Sequence, residues 1–202
     1  MMILRSAPPS PFGRKARIAA AVLGLDKEID VQATDTNDPN DSVRRQNPLG
    51  KIPVLIAEDG VCYYDSRVIL DYLDLRAGGG KIVPAEPKAR LAANLLQALC
   101  DGILDASILQ IYEARFRPPE QHVRKWLDYQ AEKVARGLAS LEAAPPAIDP
   151  MPHVGQITLA CALGYQDLRF NGTWRPNHPR LVAWLDRFAA QVPAFEATRF
   201  VA

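Results

Sequence analysis

Residues 47–55 read Asn-Pro-Leu-Gly-Lys-Ile-Pro-Val-Leu, and Tyr64-Asp65-Ser66 follows shortly after. Between the two segments lie an apolar run over 53–57, the turn Glu58-Asp59-Gly60, and a second apolar run over 61–64. Two strands joined across an Asp-Gly turn are the expected structure. The first strand opens on a proline, where the missing N–H removes no central ladder bond. The second runs into Asp65-Ser66, polar residues that open a helix with Ile69, Tyr72 and Leu73 on one face. A helix start whose free N–H groups sit beside a strand edge is suited to holding a small charged peptide.

Working outward, Met2-Ile3-Leu4 reads as a short strand, and Ser10 is a candidate N-cap with Pro11 at the first helical position. Ile18, Val22 and Leu25 share a face of that helix, and Gly24 marks its end. Residues 29–33 alternate apolar and polar, as a half-exposed strand does. The segment 34–41, rich in Asp and Asn, is loop. The order strand, helix, strand, short link, hairpin, helix is that of an α/β unit ending near Arg76. Gly78-Gly79-Gly80, Pro84 and Pro87 then read as a linker. Beyond it the pattern is helical. Leu91, Leu95, Leu99 and Ile103 recur every four residues and continue through Ile108 and Ile111. Pro118-Pro119 interrupts. Val123, Leu127, Val134, Leu138 and Leu141 mark a second long helix. Residues 157–163 are apolar nearly all round, which predicts a helix buried on every side. Leu181, Val182, Leu185, Phe188 and Ala189 give a last amphipathic helix after Pro179.

With 202 residues, 48% hydrophobic and 23% charged, the chain has the composition of an ordinary globular protein. A net charge of +1 supplies no whole-protein field for nucleic acid or an anionic membrane, and neither partner is expected. Cys62, Cys100 and Cys161 form no CxxC pair, so they read as structural thiols in a reducing compartment rather than a zinc site or redox dithiol. The apolar start, 1–4, is too short for a secretory leader. The longest strongly apolar stretch, 157–165, falls short of the about 20 residues that span a bilayer. A cytoplasmic protein is expected. His122, His153 and His178 share no metal-like spacing, so no metal is expected. Arg14, Lys15 and Arg17 read as a solvated helix face.

Four stretches carry a resemblance: Ser-Pro-Phe-Gly-Arg-Lys at 10–15, the segment 47–55, Tyr-Asp-Ser-Arg-Val-Ile-Leu-Asp-Tyr-Leu at 64–73, and Ile-Thr-Leu-Ala-Cys-Ala-Leu-Gly-Tyr-Gln-Asp-Leu-Arg-Phe at 157–170. Together they resemble the glutathione transferases, over essentially the whole chain. The resemblance implies an α/β plus all-α architecture: a thioredoxin-like glutathione-binding domain over 1–76, a linker over 77–87 and a helical bundle over 88–202. It also implies glutathione as co-substrate, a small electrophile as second substrate, and a homodimer in which the α/β domain of one subunit meets the helical domain of the other.

The site residues follow by position. Asp65 and Ser66 match the pair that holds the γ-glutamyl end, a role compatible with capping the helix. Pro53 matches the family's cis-proline; alone it would be read as trans, since only about 5–6% of X–Pro bonds are cis. Ile52 would then pair its backbone with the cysteinyl unit. Lys51 either balances the glycyl carboxylate or is an ordinary solvated lysine, and Phe12 joins the glutathione-binding set. Ser10 is the catalytic candidate, a hydroxyl that can donate to the glutathione sulfur and favour thiolate. Its competing role is a plain cap, and Ser6 is a nearby alternative. Tyr112, Phe116 and Trp174 are candidate walls of an electrophile pocket between the domains, with core packing as the other reading of each. Two further functions share these features: a non-catalytic glutathione- or partner-binding protein, and a glutathione-dependent isomerase or dehalogenase. One departure stands out. The Ser/Thr-x-x-Asp capping box that opens the family's buried helix is replaced by His153 and Gln156, which predicts a weaker closure.

Overall fold

The computed structural model describes residues 1–200. Its first part is a four-stranded sheet in the order β2-β1-β3-β4. Strand β1 (Met2–Ser6) pairs in parallel with β2 (Ile29–Ala33), from Met2 opposite Ile29 to Ser6 opposite Ala33. On its other side β1 pairs antiparallel with β3 (Val54–Ile56), which pairs antiparallel with β4 (Cys62–Tyr63). Parallel neighbours need a crossover, and α1 (Pro11–Val22) supplies it; the short α2 (Val43–Gln46) leads toward β3. The β3–β4 turn is the one anticipated, closed by Ala57 N–H to Val61 O at 2.9 Å, with Gly60 at φ +84°. Helix α3 (Ser66–Arg76) follows with Ile69, Leu70 and Leu73 buried. This is the thioredoxin-like arrangement with helices packed on the sheet.

Three consecutive glycines, all at positive φ, follow α3. The Asp74 carboxylate accepts N–H bonds from Gly80, Lys81 and Ile82 at 2.7–2.9 Å and so ties this turn back to the helix. The remainder is helical: α4 (Pro87–Phe116), α5 (Arg124–Ala143), α6 (Val154–Phe170), α7 (Pro179–Gln191) and α8 (Ala194–Ala197), a short helix that hydrophobic periodicity did not flag. Helix α6 is central, with every residue from Val154 to Leu163 buried, as its all-round apolar pattern predicts. It packs against α4 and, across the two halves of the chain, against α1.

Two expectations change here. The leucines spaced by four do not form one buried stripe. Leu91 and Leu95 are 70% and 73% exposed, Leu99 is 37% exposed, and Ile103 is 2% exposed. A step of four residues turns a helix by about 400°, or 40° beyond a full turn, so the row winds from solvent into the core. Nor is 157–165 the longest apolar element. Among the described residues α4 alone is long and apolar enough to cross a membrane by composition. Here it is a core helix, burying Cys100, Ile103 and Leu104 together with two charged residues, Asp101 and Glu113.

The start of α6 corrects a third. His153 Nδ1 accepts from the Gly155 N–H at 3.1 Å, and Gln156 Oε1 accepts from the His153 N–H at 2.9 Å, a complete capping box. The Gln156 amide also donates to Ala147 O at 2.6 Å and Asp149 Oδ2 at 3.1 Å. Closure is therefore stronger than a bare substitution of His for Ser implies.

Candidate functional site

The loop before β3 is clamped on itself. Asn47 is buried, its Nδ2 donating to Lys51 O at 2.9 Å and its Oδ1 accepting from Leu49 N–H at 3.0 Å. Gly50 completes the turn at φ +61°, a conformation that favours glycine. The Ile52–Pro53 bond is cis, as is Tyr64–Asp65. The β1/β3 register ends at Val54, which leaves the half-buried Ile52 backbone outside the ladder. Lys51 is exposed.

At the start of α3, Asp65 is the N-cap, its Oδ1 accepting from Arg67 N–H at 2.9 Å while Oδ2 lies 3.3 Å from Arg67 Nη2. Ser66 occupies the first helical position and is buried. Its Oγ accepts from Lys15 Nζ at 3.2 Å. Lys15 also pairs with Asp101 of α4 at 2.8 Å, and Arg67 Nε reaches the same carboxylate at 3.5 Å. Burial pushes the Asp101 carboxyl up, opposed first by Lys15 and then by Arg67. One turn along, burial pushes Asp105 up, with Lys51 and Arg67 opposing. Opposed charges from α1, the 47–52 loop, α3 and α4 thus face one another where the two halves of the chain meet.

This overturns the reading of Arg14 and Lys15 as a solvated face. Lys15 is fully buried. The Arg14 guanidinium donates to Phe195 O at 2.5 Å and Thr198 Oγ1 at 3.3 Å and lies 4.1 Å over the Phe195 ring; burial lowers its pKa. Asp101 and Asp105 escaped the sequence reading, although two acids one turn apart within an apolar helix were a usable signal.

Ser10 is half-buried at the mouth of α1, and its Oγ accepts from Gly13 N–H at 3.1 Å. Ser6 is buried instead. Its Oγ lies directly under Gly13, where an added Cβ would come within 1.9 Å of it. Glycine at 13 lets α1 sit this close to β1. Phe12 is half-buried and packs against the core.

A cavity of about 410 Å³ opens beside Ser10, between Pro8–Pro11 and Arg14 on one side and α6, α7 and residues 195–200 on the other. Tyr165 is one wall; Asp65 and Ser66 are not. Burial raises the Tyr165 phenol, with Arg169 pulling the other way and Tyr112 and Arg115 within electrostatic reach. Tyr112 and Phe116 meet edge to face at 5.3 Å, with the Arg115 guanidinium 5.6 Å and 5.5 Å from their rings. The Arg169 guanidinium lies 5.9 Å from the Tyr165 ring, and its Nε is buried without a partner among the described residues. Trp174 belongs to the core: it is 5% exposed, donates to Asp167 Oδ1 at 2.8 Å and is not a cavity wall. Cys100 and Cys161 are buried and Cys62 is half-buried; burial pushes the Cys161 thiol up to about 11. Among the described residues no His, Cys, Asp or Glu cluster is arranged to hold a metal ion.

Comparison with known proteins gives concordant results. A family model described as glutathione S-transferase, N-terminal domain, matches residues 9–76. The chain is 34% identical over 178 residues, 86% of each chain, to the uncharacterized GST-like protein YibF of Escherichia coli K12. It superimposes with a TM-score of 0.92 on a glutathione transferase family member from Pseudomonas fluorescens Pf-5 solved with bound glutathione, at 40% identity and over 100% of both chains. A second structure from Pseudomonas fluorescens Pf-5, holding S-(propanoic acid)-glutathione, matches at a TM-score of 0.85, 40% identity and 98% and 99% coverage.

Proposed function

The chain belongs to the glutathione transferase family, and on that premise we propose that it binds glutathione between the 47–53 loop and the start of α3 and activates its thiol toward a small electrophile. Asp65 takes the γ-glutamyl ammonium, while the Ser66 hydroxyl and the free N–H groups of α3 take the γ-glutamyl carboxylate. The Ile52 backbone, which lies outside the ladder, pairs with the cysteinyl unit. Lys51 balances the glycyl carboxylate, and Phe12 flanks the peptide.

The observation that carries the catalytic reading is the hydrogen bond at Ser10. Because Ser10 Oγ accepts from Gly13 N–H, its own proton is free to be donated outward, to the sulfur. Capping and catalysis are therefore compatible in one hydroxyl. A free thiol titrates near 8.5 and is only a few per cent ionised at neutral pH; a donor at a helix N-terminus favours the thiolate. The thiolate then attacks an electrophilic carbon, forming a thioether as the leaving group departs or the acceptor bond is protonated.

Tyr112 and Phe116 do not line the cavity beside Ser10; they form an exposed aromatic pair on α4 that this reading assigns to the electrophile. Arg115 and Arg169, beside Tyr112 and Tyr165, form no ion pair among the described residues. An electrophile bearing a carboxylate would meet the Arg115 guanidinium beside Tyr112 and Phe116, and the acid-bearing conjugate in the relative from Pseudomonas fluorescens Pf-5 supports that class. The reading includes the division into 1–76, 77–87 and 88–202, a homodimer, and a cytoplasmic setting suited to three free thiols.

The test is turnover with paired electrophiles that differ only in a carboxylate. Conjugation faster with the acidic member supports the reading. Glutathione binding without any conjugation would favour a binding protein, and release of unchanged glutathione an isomerase.

A further inference from the structure

Lys15 has no exposed surface, yet its ammonium is fully partnered: Asp101 Oδ1 lies at 2.8 Å, Asp101 Oδ2 at 3.1 Å and Ser66 Oγ at 3.2 Å. An ammonium carries three donors and no acceptor, and a serine hydroxyl carries one donor and two lone pairs. Toward Lys15, therefore, Ser66 can only accept. Its single proton must point elsewhere, and among the described residues it meets no acceptor. We propose that Lys15 is a positioning residue for glutathione: by donating to Ser66 Oγ it directs the serine's proton outward, to the γ-glutamyl carboxylate. The inference rests on the assignment of that carboxylate to Ser66.

The energetics favour a role beyond packing. A buried ion pair is costly to desolvate, and a well-packed apolar pair in its place is often neutral or stabilising. A pair retained where its lysine also touches a ligand-facing hydroxyl has a second use. The Lys15 charge also lies one hydroxyl away from the anion to be bound, so it adds to the positive field of the α3 N-terminus. Asp101 keeps the ammonium in place, and Arg67, at 3.5 Å from that carboxylate, closes the set.

The test compares glutathione with γ-aminobutyryl-cysteinyl-glycine, which lacks only the γ-glutamyl carboxylate. Binding of both is measured by calorimetry to the wild type, Lys15→Met and Lys15→Met/Asp101→Asn. Methionine keeps the length of the stem, and asparagine removes the carboxylate that the single variant leaves stranded in the interior. In the double variant, glutathione affinity should fall roughly tenfold or more, the scale of a lost bond to a charged group. Affinity for the analogue should stay near wild type, so the preference collapses. A lysine that merely pinned α1 to α4 would weaken both ligands alike. A folded double variant that keeps the full preference overturns the proposal. A wild type that does not distinguish the two ligands instead overturns the Ser66 assignment on which it rests.

Discussion

Ser10 and Gly13 are joined by a hydrogen bond in which the serine is the acceptor, Gly13 N–H to Ser10 Oγ at 3.1 Å. The direction of that bond decides what the hydroxyl can still do. With one lone pair engaged by Gly13, the proton remains free to donate outside the helix, and on the proposed reading it goes to the glutathione sulfur. Ser10→Ala should therefore shift the ultraviolet thiolate titration of bound glutathione to higher pH. Ser6→Ala should leave the titration in place, since Ser6 is buried beneath Gly13. A curve unmoved by Ser10→Ala returns that residue to capping alone.

Asp65→Ala should weaken glutathione binding by about tenfold or more. A hydrogen bond to a charged group is worth roughly 1.5–3 kcal/mol, and Asp65 is exposed enough for solvent to take the lower end. The same change removes an N-cap, so calorimetry should be run on protein whose helical content is checked first. Unchanged affinity would remove Asp65 from the site.

The exposed leucines of α4 make a third expectation. Leu91 and Leu95 lie open on that helix, as do Val68 and Leu75 on α3. A two-fold assembly covers an apolar patch with its symmetry mate. Leu95→Glu should give a monomer mass by light scattering at micromolar concentration where the wild type gives a dimer. A wild-type monomer would sink the assembly.

His153→Ser with Gln156→Asp, which restores the family's capping pair, should destabilise the fold. The glutamine amide donates to Ala147 O and Asp149 Oδ2. Aspartate would strand the first and repel the second. A loss of roughly 1–3 kcal/mol in denaturant melts is expected, the range for a buried group left without its partner. A gain would mean that the amide contributes nothing.

Burial holds the His153 imidazole below its ordinary pKa, with Asp149 opposing. The unfolded chain therefore binds the proton more readily than the folded one. Stability follows the unfolded pKa: it is fully present above about 6.5 and falls as pH drops below that value. His153→Asn keeps a capping side chain without the titration. Wild type should lose stability relative to this variant between pH 7.5 and 5.5, and parallel losses would exclude His153 as the cause.

Much of the architecture was legible because its signals are local. The Asp-Gly turn, the proline opening β3 and the all-apolar run of α6 each report on their own neighbourhood. The clamp around Asn47 and the cap at Asp65 are local for the same reason. What escaped depends on partners distant in the chain. Lys15 looks like a surface lysine until Asp101, on α4, receives it. His153 looks like a poor cap until the loop at Ala147 and Asp149 folds over Gln156. The leucine row misled because a spacing of four resembles the helical period over two turns and departs from it over four.

The Lys15–Asp101 pair has a consequence for modularity. Its lysine comes from the α/β half and its carboxylate from the first long helix of the other. A fragment ending before α4 would leave that ammonium without its counter-ion, free to turn to water and let Ser66 rotate. On the proposed reading, the thioredoxin-like half would not be a portable glutathione-binding cassette. If Ser66 holds glutathione as proposed, that surface is finished only by the helix that follows, and by linkage a ligand on Ser66 should also tighten the seam between the halves.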